Sequence, residues 1–138
     1  MLNPNVVVKN IVNQTNTDAI LALIARALLA YIFIVAGWGK LTAYSATASY
    51  MESIGVPSAM LPLTILVELG GGLALLLGFQ ARFAAFGLGI FSLMTAFLFH
   101  GSAEDGINFM KNFAMAGGLF FLMLHGAGKF SLDHIIEK

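Results

Sequence analysis

Cysteine is absent from all 138 residues, and with it go disulfides, thiolate nucleophiles, iron–sulfur ligation and dithiol redox pairs. Without cysteine, a metal site or a GxGxxG nucleotide loop after a strand, no intrinsic electron carrier can be placed in the chain, and redox chemistry here is expected to draw on one from outside. Charge is scarce too. Asp, Glu, Lys and Arg make up 10% of the sequence, against roughly 25% in soluble domains. Seven basic residues balance seven acidic ones, which removes the field that would attract nucleic acid.

What is abundant is apolar surface. Hydrophobic residues reach 59%, above the roughly 45–50% of globular domains, and they fall in four runs over 19–41, 61–79, 83–100 and 109–126. Each has the roughly 17–25 residues a helical membrane crossing needs. The expected fold is all-α, an integral membrane four-helix transmembrane bundle over residues 19–127. Residues 1–18 form a cytoplasmic N-terminal segment and 128–138 a cytoplasmic interfacial tail, amphipathic from Phe130 onward. The first run follows a polar stretch and is long enough to span, so it reads as a permanent anchor and not a cleaved leader. Lys9, Arg82, Lys129 and Lys138 fall on one side, while Lys40 and Lys111 share the other with Glu52, Glu104 and Asp105. The positive-inside rule then places both termini in the cytoplasm.

Only Gln80, Ala81 and Arg82 separate the second and third runs, which makes a tight antiparallel hairpin. The long connection from Thr42 to Met60 contains Tyr44, Tyr50, Met51 and Ile54 and reads as a short interfacial segment over one mouth of the bundle. Small residues recur every fourth position at Gly70, Ala74 and Gly78, at Ala85 and Gly89, and at Ala114 and Gly118. Such ridges let helices approach closely in lipid, and they exceed what one bundle uses, which points to a homo-oligomer.

Two ionisable residues lie inside the runs, Arg26 in the first and Glu68 in the second. Each costs about 2.5–3.5 kcal/mol at mid-membrane, so each needs a partner, water or a ligand. Counted inward from the ends of the runs, they lie about 10 Å deep from opposite faces, within bridging reach of each other. An Arg26–Glu68 pair is the preferred contact, with snorkelling of Arg26 to the interface as its rival. These two are the candidate catalytic residues.

Lys40, His100, Lys111 and Asn112 cluster at the opposite ends of the runs and are the candidate ligand-binding residues. With Glu68 below them they line a cavity. The alternative is that the charged members rest in the headgroup layer, with Trp38 and Tyr44 as aromatic anchors. His100 and His125 fall at opposite membrane faces, over about 20 Å apart, so they share neither metal nor haem, and no metal site is expected. Phe109, Met110, Phe113 and Met115 offer a soft apolar lining. A quinone suits such a mixture, its ring in an apolar slot and its carbonyls on a few donors, with Glu68 passing a proton.

Ala25-Arg26-Ala27-Leu28-Leu29 leading to Ala36-Gly37 and Lys40, then Glu68-Leu69-Gly70-Gly71-Gly72 through Leu77-Gly78 to Arg82, resemble the DoxX family of small bacterial membrane proteins. Lys111-Asn112 with Gly117-Gly118, and Gly126 and Gly128 before Ser131-Leu132-Asp133, extend the resemblance over about residues 20–135. Ala81 departs from the Thr that the family often has there. The resemblance implies a bacterial inner-membrane location and redox chemistry, with Arg26, Glu68, Lys111 and Asn112 as signature positions. Some relatives are membrane subunits of a thiosulfate:quinone oxidoreductase, others quinol-oxidase-like subunits or membrane partners in oxidative-stress complexes. The leading expectation is a membrane subunit of a quinone-linked oxidoreductase, acting with a redox protein partner and not as an enzyme alone. Its alternatives are a non-catalytic scaffold that recruits a redox or stress protein, and a small proton-coupled transporter or lipid-binding protein.

Overall fold

The apolar runs fold as helices whose ends are set by identifiable residues. A computed structural model describes residues 3–14 and 16–137. Helix α1 (Pro4–Val12) starts where the Asn3 side chain accepts the Asn5 N–H at 2.9 Å and proline occupies the first turn. None of its residues is buried. There follow α2 (Thr17–Thr42), α3 (Tyr44–Ser53), α4 (Ser58–Leu77), α5 (Ala81–Phe99), α6 (Gly106–His125) and α7 (Leu132–Ile136). A short 3₁₀ turn, Ala103–Asp105, leads into α6.

Helices α2, α4, α5 and α6 with its leading turn are long and apolar enough to cross a membrane. Four crossings return the chain to its starting face, so α1 and α7 lie on the same side. The second and fourth spans begin at Ser58 and Ala103, earlier than the apolar runs suggest, because their first turns are polar or broken by proline. Ala30, Phe33, Leu75, Ala85, Leu88 and Leu119 form the main core. A second cluster, Met51, Val56, Leu61 and Ile65, seats α3 across the far end of the bundle.

The register between α2 and α4 is set by two glycines. A Cβ on Gly37 would stand 2.8 Å from the Leu69 side chain and 3.0 Å from its backbone nitrogen, and one on Gly72 would stand 2.9 Å from Ile34. On α4 the close approaches are therefore made by Gly72 against α2 and Gly71 against Leu88 of α5, and the expected ridge of Gly70, Ala74 and Gly78 is corrected at Gly70. Gly70 is exposed and so, on α6, is Ala114. The reason lies in α4 itself, where Leu66–Gly70 forms a single π-helical turn that rotates the residues beyond it relative to a regular helix.

The α4–α5 connection closes against the chain's end. Gly78 takes a left-handed conformation, φ 69°, and a Cβ there would stand 2.3 Å from that of Ser131. The Asp133 carboxylate accepts the N–H groups of Gln80 at 2.6 Å and Ala81 at 2.8 Å, capping the first turn of α5. Ser131 in turn caps α7, its hydroxyl accepting the His134 N–H at 3.2 Å. With Ser131 and Asp133 buried, the tail is an integral part of the bundle's base and not only a surface segment.

Candidate functional site

Helical side chains lean toward the N-terminus of their own helix. Lys40 follows this rule, reaching back from near the end of α2 to put Nζ 2.7 Å from Glu68 Oε1. Gly37 makes the approach feasible by letting the α4 backbone close on α2 at the level of Glu68. Glu68 lies in the middle of the π turn and is 3% exposed, a placement frequent at functional sites because the wider turn redirects a side chain. The contact is an ion pair without a well-aligned hydrogen bond on Oε1, which leaves that oxygen able to accept a second donor.

Facing this pair is a neutral polar wall. Asn112 of α6 donates through Nδ2 to Thr95 Oγ1 at 3.0 Å and to the Ser92 carbonyl at 3.2 Å, both on α5. The Ser92 hydroxyl, on a residue 1% exposed, has no hydrogen-bond partner among the described residues. A buried donor in that condition costs free energy until water or a ligand engages it.

Between the walls lies a cavity of about 300 Å³, lined by Lys40, Glu68, Thr64, Ser92, Thr95, Asn112 and His100 together with Phe33, Phe91, Phe99, Tyr50, Met51 and Met115. Its volume is at the lower end of small-molecule sites, and its mostly apolar lining with a few convergent polar groups is typical of them. His100 stands at the rim, its Nδ1 paired with the Asp105 carboxylate, which also accepts from Asn108 Nδ2 at 2.6 Å. Helix α3 contributes Thr47, Tyr50 and Met51.

The structure thus brings Lys40, Glu68, His100 and Asn112 to one cavity and leaves Arg26 and Lys111 outside it. Arg26 is fully buried at the opposite end of α2, where Nη1 donates to the Leu75 and Leu76 carbonyls, both at 2.9 Å, and Nη2 to that of Phe130. The expected Arg26–Glu68 pair is corrected. Gly37 faces Glu68 and Leu69, so Glu68 sits level with a point on α2 about 16 Å along the axis from Arg26. Depth counted from the ends of apolar runs misjudged that register. Lys111 is exposed, because neighbouring residues on a helix point about 100° apart and Asn112 takes the inward position. Of the expected apolar lining only Met115 reaches the cavity, while Phe109 and Phe113 meet Phe97 edge to face at centroid distances of 5.1 and 5.9 Å.

Ser92 and Thr95 were missed from sequence, whereas Thr64 lies on the polar face expected beside Glu68 and lines the cavity with it. The i, i+3 spacing of Ser92 and Thr95 on a helix otherwise rich in Phe, Leu and Gly was the available signal. Hydroxyl residues in membrane helices commonly bond their own backbone, as Thr95 does to the Ser92 carbonyl at 3.1 Å, and that habit masks them.

A family model described as DoxX matches residues 21–101. The chain is 50% identical to inner membrane protein YqjF of Escherichia coli (strain K12), over 84% of this chain and 92% of that one. It is 35% identical to inner membrane protein YphA of the same organism, over 83% of this chain and 89% of the relative. No solved structure matches significantly.

Proposed function

The chain belongs to the DoxX family, and from that membership together with the two-walled cavity we propose that it is the membrane subunit of a quinone-linked oxidoreductase. The observation that carries this reading is the facing of the Lys40–Glu68 ion pair against the Ser92–Thr95–Asn112 group across an aromatic-lined space. The residues present fit a quinone head. Phe33, Phe91 and Phe99 offer flat apolar surface to a ring, and the Lys40 ammonium and the unpartnered Ser92 hydroxyl are donors on opposite walls for its carbonyl oxygens.

A bound quinone supplies the electron-accepting chemistry. The chain holds and orients it: Lys40 and Ser92 donate, Asn112 fixes the α5 wall, and the aromatic side chains exclude water. Glu68, paired with Lys40, holds or releases a proton at its carboxylate. On this reading electrons come from a separate redox protein. Like its relatives, by the names they bear, the protein resides in the inner membrane, and the distribution of Lys and Arg puts both termini in the cytoplasm.

The test is mass spectrometry of quinones and proteins that co-purify with the gently extracted chain, wild type against Glu68→Gln at equal folded yield. Stoichiometric quinone in the wild type, depleted in the variant, is expected. Quinone missing from both, with a protein partner retained, would replace the reading with a scaffold.

A further inference from the structure

A second hollow, of about 270 Å³, adjoins the polar cavity, and the two share walls at Met51, Thr64, Phe91, Thr95 and Phe99. Across that boundary the chemistry changes. Among the described residues no ionisable side chain lines the second hollow, which runs between Leu63 and Val67 of α4 and Ile90 and Met94 of α5. The Thr64 and Thr95 hydroxyls at the junction are already engaged, Thr64 with the Met60 carbonyl at 3.0 Å and Thr95 with that of Ser92. The α5 side extends to Gly87, where an added Cβ would meet nothing within 4 Å. From Thr95 to Gly87 the helix rises about 12 Å, room for an alkyl chain of moderate length.

We infer that this groove holds the hydrocarbon tail of the quinone whose ring occupies the polar cavity, and that the ligand enters sideways from the bilayer between α4 and α5. The inference rests on the quinone reading. A groove lined only by apolar and hydrogen-bonded groups has no use for a polar ligand. Sharing walls with a polar cavity, it suits the apolar half of a molecule that carries both parts. Gly87 serves the groove by omission, because any larger side chain there fills the tail's path without touching the ring site.

The experiment compares the full chain in lipid nanodiscs with two probes, a benzoquinone bearing only methyl and methoxy groups and its decyl counterpart, each referred to its concentration in the membrane phase. Wild type is expected to prefer the decyl compound by about tenfold through packing of the tail. Gly87→Leu and Ile90→Trp, both at exposed positions in the groove, should abolish that preference and keep affinity for the tailless ring. Gly117→Leu, also at an open site but lining neither hollow, should keep it. The second groove variant covers the case in which one of them does not fold. An equal tail preference in all four proteins would overturn the groove and leave the ring site standing. Failure of wild type to bind either probe would overturn both.

Discussion

Lys40 and Glu68 pair at 2.7 Å with unequal surroundings, the Lys side chain 30% exposed and the Glu side chain 5%. The buried partner therefore depends on the accessible one. Lys40→Met strands a carboxylate in a medium that solvates it poorly, and a loss of about 2–3 kcal/mol is expected, the partial exposure of Lys40 holding it at or below the lower end for buried pairs. Adding Glu68→Leu removes the stranded charge and should recover most of that loss while leaving quinone affinity abolished. Denaturant unfolding in micelles with quinone titration checks both. A double variant as unstable as Lys40→Met would show that the pair is not what holds this region.

Arg26 predicts the opposite pattern. Its guanidinium satisfies carbonyls of Leu75, Leu76 and Phe130 and so ties α2 to α4 and to the tail. Arg26→Met should cost about 3 kcal/mol or more, since each hydrogen bond to a charged group is worth about 1.5–3. Affinity of the folded fraction for quinone should stay within about twofold. Normal stability with lost affinity would return Arg26 to the functional site.

Adjacent residues on α6 should differ in kind. Lys111→Ala lies on the exposed face and should alter stability by less than about 0.5 kcal/mol, with no change in affinity. Asn112→Ala removes the donor to Thr95 and Ser92 and should weaken quinone binding by about tenfold. Titration of both against wild type decides the matter, and equal losses would mean that the cavity extends to the face that Lys111 occupies.

The four crossings were legible because apolar length alone identifies them, and the gathering of Lys40, Glu68, His100 and Asn112 because all lie toward one end of their runs. The partner of Glu68 was not legible. It depends on which turn of α2 meets which turn of α4, and that is decided by the contacts of Gly37 and Gly72, pairs far apart in sequence. The π turn at Leu66–Gly70 leaves no compositional trace, since it changes hydrogen-bond spacing and not residue type. Asp133 looked like part of an amphipathic surface tail because a capping carboxylate and a solvated one are the same residue until the capped N–H groups are located.

That cap has a consequence for how the protein is made. Ala81 leaves the ribosome 52 residues ahead of the Asp133 carboxylate that satisfies it, and Arg26 precedes the Phe130 carbonyl by 104. Insertion into the bilayer and completion of the fold are thus separate events, because α2 and α5 carry unsatisfied groups until residues 130–133 arrive. A product that ended before Phe130 would still insert its helices, yet it would expose to quality-control proteases the ends that Asp133 and Phe130 normally close.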